Sequence, residues 1–137
     1  MRFVLVATVA AVALALAGAA QARIEFFRMP SGNIACVYSS EDAYLRCDIR
    51  SGLKPKPPRP RGCVDLEWGD SLSLGRRGRA SVVCHGDTVF GSGGRILRYG
   101  TSTTRGPFVC TSRTAGLTCE NLAGHGFFIS RQSWQRF

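Results

Sequence analysis

The sequence predicts a mainly β fold: a small antiparallel sheet or barrel-like domain of disulfide-stapled hairpins. Three observations carry that expectation. Apolar and polar residues alternate with period 2 in several short runs, as in Ile34-Ala35-Cys36-Val37-Tyr38 and Leu45-Arg46-Cys47-Asp48-Ile49. Within residues 23–137, nowhere do apolar residues recur at i, i+3, i+4 and i+7 over more than one turn. The six cysteines are even in number, and the 16 glycines punctuate the runs as turns.

The chain opens with a different pattern. Arg2 is followed by an apolar run, Phe3–Ala17, interrupted only by Thr8, and then by the small-x-small sequence Ala20-Gln21-Ala22. This is the pattern of a cleaved secretory signal, residues 1–22, with Arg23 as the first mature residue. The run is short for a membrane span and no basic stop-transfer cluster follows, so no stable anchor is expected after cleavage. Residues 23–137 are then expected to form a single domain, secreted or periplasmic. A domain of that size buries a modest core, and disulfides suit both its size and its compartment.

The elements follow in order. Arg23–Met29 alternates loosely and reads as a first strand, closed by the turn Pro30-Ser31-Gly32-Asn33. If Cys36 faces Cys47, antiparallel pairing sets Ile34 opposite Ile49 and Tyr38 opposite Leu45. The loop is then Ser40–Ala43. A disulfide there requires a non-hydrogen-bonded pair, where Cβ atoms approach closely. Arg50–Gly62 holds four prolines, five basic residues and no acid. Proline fixes φ and removes a donor, so this reads as an extended surface connection. Its Lys54, Lys56, Arg59 and Arg61 are candidates for an anionic partner, and its prolines for a proline-reading groove. The simpler reading is a stiff crossover pinned by Cys63.

Asp65–Leu74 and Ala80–Cys84 read as the next strands, joined by a turn that carries Arg76, Arg77 and Arg79. Gly91-Ser92-Gly93-Gly94 is a flexible loop, and Ile96–Tyr99 a short strand or turn. Phe108–Ser112 and Leu117–Glu120 repeat the first hairpin's device: Cys110 facing Cys119 sets Ser112 opposite Leu117, with Arg113–Gly116 as the loop. By elimination Cys63 pairs with Cys84. Asn121–Gly126 is a second glycine-rich turn before a last strand, Phe127–Arg131. There the two glycines around His125 are expected to take positive φ.

Chemistry-bearing residues are few. The charge is +9; loss of Arg2 leaves 17 basic side chains against 9 acidic, or +8. Such a surface favours polyanions, and it equally serves solubility. His125 between glycines is a candidate base or ligand, yet a turn role accounts for it without a neighbouring acid in spacing. Asp65, Glu67 and Asp70 around Trp68 offer carboxylates to a glycosidase-like site, although Trp68 more simply packs with its N–H satisfied. Asp87 reads as an Asx-turn residue. Gly91–Gly94 lacks the Lys and Ser/Thr of a phosphate loop. No C-x-x-C pair suggests zinc or redox work. No metal, no cofactor and no catalytic residue is therefore expected, and no nucleic acid partner, since Arg76–Arg79 lack interleaved aromatics.

Several stretches together resemble one family. They are Met29-Pro30-Ser31-Gly32-Asn33-Ile34-Ala35-Cys36, Leu45-Arg46-Cys47-Asp48-Ile49, Trp68-Gly69, Cys84-His85-Gly86-Asp87-Thr88-Val89, Tyr99-Gly100, Gly116-Leu117-Thr118-Cys119 with Asn121, and Gly124–Arg131. The chain resembles small exported bacterial proteins grouped only as a domain of unknown function. The resemblance implies export, one small domain and paired cysteines, and assigns no activity. The resulting expectation is a non-catalytic binding module of the cell envelope, its partner an anionic polymer or another exported protein. Alternatives are an inhibitor of an exported hydrolase, presenting Gly124–Phe127, or a small hydrolase using His125 with Asp87 or Glu67.

Overall fold

The computed structural model describes residue 18 and residues 20–137. The apolar run Phe3–Ala17, read as the heart of a signal segment, lies outside the described residues. The described residues form strands and no helix. In chain order they are β1 (Ile24–Arg28), β2 (Ile34–Ser39), β3 (Tyr44–Ile49), β4 (Glu67–Leu74), β5 (Ser81–His85), β6 (Arg95–Ile96), β7 (Ser102–Arg105), β8 (Phe108–Arg113), β9 (Gly116–Glu120), β10 (Gly126–Ile129) and β11 (Trp134–Arg136). One six-stranded sheet runs β5-β4-β3-β2-β1-β6, and a five-stranded sheet runs β11-β10-β9-β8-β7. All pairings are antiparallel except β1 with the short β6.

Period-2 patterning decides which side of each strand is buried in the core. Leu45, Cys47 and Ile49 of β3 meet Leu72 and Leu74 of β4 and Ile34, Cys36 and Tyr38 of β2. From the second sheet come Phe108, Cys110, Leu117, Cys119, Phe127 and Ile129, all in the same cluster. Tyr38 meets Phe108 edge to face across it, with centroids 5.9 Å apart. Full burial of each aromatic such as Phe27, Phe108 and Phe127 stabilises the fold by roughly 1.5–3 kcal/mol.

All three expected disulfides form: Cys36–Cys47, Cys63–Cys84 and Cys110–Cys119. The two hairpin bonds have Cα atoms 4.1 Å apart, the close approach of a non-hydrogen-bonded pair. Cys36 faces Cys47 in the expected register, and β2 and β3 are joined by residues 40–43. In the second hairpin pairing runs one step further, to Arg113 opposite Gly116, leaving Thr114 and Ala115 as the loop. Three disulfides in a domain of this size suit an oxidising compartment.

Two strands have no counterpart in the sequence reading. The polar run of β7 lacks apolar alternation, and β11 is too short to show a period. The last strand also ends early, because Ser130 turns the chain by bonding to residues 132 and 133.

The glycines of Asn121–Gly126 divide their work differently from the expectation. Gly124 has φ +79°, whereas Gly126 is ordinary strand backbone paired with Glu120. Gly126 is required for room: a Cβ there would meet the Cys119 carbonyl oxygen and, at 2.9 Å, the Phe137 ring.

Candidate functional site

The proline-rich segment is held by the chain's two tryptophans. The Trp68 indole N–H donates to the Pro57 carbonyl at 3.2 Å, and that of Trp134 donates to the Pro55 carbonyl at 2.7 Å. The Lys56 ammonium lies 4.0 Å and the Arg59 guanidinium 3.8 Å from the Trp68 ring centroid. Arg59 also donates to the Cys63 carbonyl. Pro57–Pro60 thus crosses the facing edges of the two sheets, lining a shallow concavity with Ser81 and Val82 of β5 and Trp134 and Arg136 of β11. Two of the basic residues expected to face a partner, Lys56 and Arg59, spend part of their charge on Trp68. Lys54 and Arg61 remain exposed.

A buried ionic network occupies the outer face of the six-stranded sheet. On β3, Arg46 and Asp48 point away from Leu45, Cys47 and Ile49, yet both are buried because the segment after β5 covers them. Arg46 forks onto Asp48, with Nε–Oδ1 at 2.7 Å and Nη2–Oδ2 at 3.0 Å, and reaches Asp87 Oδ1 at 2.7 Å. Asp48 accepts further bonds from Ser71 Oγ at 2.6 Å and Val89 N at 2.9 Å. Burial opposes the Arg46 charge, but its bonds to Asp48 and Asp87 and their attraction outweigh burial and leave its pKa raised. The hydrogen bond from Arg46, then its charge, holds the Asp87 carboxyl below the usual range. Asp87 therefore departs from the expected Asx turn: its carboxylate docks on Arg46, and Thr88 Oγ1 closes the turn by accepting from Phe90 N.

Sequence reasoning missed this network, although opposite charges two apart in a period-2 strand were the available signal. It extends to His85, whose Nε2 lies 2.7 Å from Asp70 Oδ1 and 3.2 Å from Ser71 Oγ. Serine, histidine and aspartate meet here without the geometry of acyl transfer. A triad histidine engages its serine and its carboxylate through different nitrogens. Here both lie on Nε2, Nδ1 is buried without a partner, and Ser71 is fully buried and donates to Asp48.

Beside the network lies a cationic surface. One concavity of about 240 Å³ is lined by Arg28, Gly32, Ala35, Arg50, Val89, Phe90, Gly91 and Gly93. A second, of about 460 Å³, shares Arg50 and adds Lys54, Lys56 and Trp68, with Asp70 its only acid. Arg50 lies 4.1 Å over the Phe90 ring and donates its Nε–H to the Gly32 carbonyl at 3.2 Å. Arg28, Arg50, Lys54 and Lys56 are all exposed.

His125 and the basic turn are positioned together by Asn121. Asn121 Nδ2 donates to the carbonyls of Gly75 and Gly78 at 2.9 Å each, while its Oδ1 accepts from Ala123 N and His125 N. The half-buried His125 ring has its Nδ1 3.3 Å from the Phe137 main-chain oxygen. Among the described residues no hydrogen bond joins it to Asp87 or Glu67. Arg76, Arg77 and Arg79 are exposed at the tip of the β4–β5 turn, away from the concavities that Arg50 lines.

No curated protein and no solved structure matches the chain. Residues 7–137 match a family of unknown function, DUF6636, and the chain belongs to that family.

Proposed function

We propose that the protein is an exported, non-catalytic binding module of the cell envelope, secreted or periplasmic, that holds an anionic polymer on its cationic face. The observation that carries this reading is the convergence of Arg28, Arg50, Lys54 and Lys56 on two concavities with Arg50 as their common wall. Asp48 and Asp87 are engaged by Arg46, and Asp70, the one acid that lines either concavity, is hydrogen-bonded to His85. Two aromatic rings, Phe90 and Trp68, stack against the charged heads of three of the face's neighbouring cations.

The test is retention of the oxidised protein on immobilised polyuronate and on polyglycerol phosphate. Retention is expected at low salt and should weaken as the screening length falls from about 10 Å at 0.1 M salt towards about 3 Å at 1 M. Passage through both matrices at low salt would refute the reading.

A further inference from the structure

The smaller concavity has a more specific chemistry than charge alone. Its cations come from two strands remote in sequence: Arg28 ends β1 and Arg50 follows β3. Facing them is Gly91–Gly94, with φ +88° at Gly91, +75° at Gly93 and +95° at Gly94. Gly94 fixes the loop's position, since a Cβ there would lie 2.5 Å from the Phe26 carbonyl carbon and oxygen. The main-chain N–H groups of Gly91 and Gly93, both on the cavity wall, make no hydrogen bond among the described residues. No carboxylate lines the cavity. Arg50 commits only its Nε–H, to Gly32, and its plane is set by Phe90, so its terminal nitrogens are left as a fork.

Guanidinium forks and free main-chain N–H groups in glycine turns are complementary to tetrahedral oxyanions. We propose that Arg28, Arg50 and the main-chain N–H groups of Gly91 and Gly93 form a seat for one phosphoryl group, with Phe90 as the residue that positions Arg50. This inference rests on the polyanion reading and narrows it: the preferred polymer is a phosphodiester, whose successive charges continue onto Lys54 and Lys56. The volume of about 240 Å³ admits the group with some of its water, each water occupying about 30 Å³ in the liquid.

The experiment is an NMR titration of the oxidised full chain with inorganic phosphate, and in parallel with acetate, at constant ionic strength. Saturable shifts are expected for phosphate at the Gly91 and Gly93 amides and at the Arg28 and Arg50 side chains, with weaker and non-saturating shifts for acetate. Arg50→Ala should lower the apparent phosphate affinity about tenfold or more, the loss of a charge-assisted contact. Phe90→Leu should lower it less and leave Arg28 responsive. Polyglycerol phosphate should compete with phosphate for the same amides, and polyuronate should do so poorly.

The inference is overturned if phosphate and acetate give the same diffuse shifts over all exposed arginines, or if Arg50→Ala leaves the titration unchanged. Retention of the protein on polyuronate in that case would leave the broader reading standing. Loss of retention on both polymers would remove both.

Discussion

Arg46 and Arg50 stand four positions apart and do opposite things. Arg46 is 91 % buried at its side chain, forked onto Asp48 and tied to Asp87. Arg50 is exposed, stacked on Phe90, and gives one N–H to a carbonyl. Strand geometry sets the first role. The same alternation that sends Leu45, Cys47 and Ile49 to the core sends Arg46 and Asp48 to the outer face, where the β5–β6 connection covers them. Arg50 lies just past the end of β3, beyond that cover. The difference teaches that this protein's positive charge is not one surface: some cations hold the fold together, and others are free to meet a ligand.

The sharpest way to break the comparison is to remove Asp48. Asp48→Ala leaves Arg46 buried with only the exposed Asp87 as partner, and leaves Ser71 and Val89 N without their acceptor. A loss of about 3–5 kcal/mol in urea unfolding with disulfides intact is expected. Arg50→Ala in the same assay should cost only about 0.5–1 kcal/mol, the loss of one exposed cation–π contact and one N–H to a carbonyl. Equal effects of the two would erase the distinction.

A second contrast lies within Gly124–Gly126. Gly126→Val places atoms against the Cys119 carbonyl and Phe137, and should cost about 1–3 kcal/mol by overpacking. His125→Ala should cost about 0.5 kcal/mol or less, since the turn is closed by Asn121 and not by the imidazole. Thermal melts of the two variants read this directly.

The proline-rich strap gives a smaller effect. Lys56→Ala and Arg59→Ala each remove one cation from Trp68 and should lower stability by about 0.5–1 kcal/mol. The Trp68 indole resonance should move in both variants, while the Trp134 indole N–H, bonded to Pro55, should hold its position more closely.

The smallest effect is the pH dependence of Asp87. Its folded pKa lies below the unfolded value near 3.8, so its contribution is complete above that value and is lost as pH falls through the lower, folded one. Because Asp87 is largely exposed, solvent screens the pair and the contribution is small. Asp87→Asn should therefore destabilise slightly at neutral pH and flatten the acid limb of the stability curve below about pH 4.

The hairpins were legible in the sequence because a cysteine pair and the period-2 pattern fix the same register independently. Cys36–Cys47 aligns Ile34 with Ile49 and Tyr38 with Leu45, and no other register satisfies both. The site was legible only in pieces. Lys54, Lys56, Arg59 and Arg61 stood out as a basic run, yet neither the tie of Lys56 and Arg59 to Trp68 nor the one from Pro55 to Trp134 leaves a local signal. Arg28 and Arg50 carried no motif at all, because the ends of two strands of one sheet and a glycine loop far along the chain bring them together. Gly91–Gly94 lacked the lysine of a phosphate loop for the same reason: its cations arrive from other strands.

The most direct measurement is a matched pair of double variants on immobilised polyglycerol phosphate. Arg28→Ala with Arg50→Ala and Arg76→Ala with Arg77→Ala each remove two positive charges from exposed positions. If geometry decides which cations bind, the first pair abolishes retention at about 0.1 M salt and the second weakens it only slightly, with both proteins folded by their melting curves. Equal loss of retention in the two pairs would show that net charge alone holds the polymer, and would contradict the account.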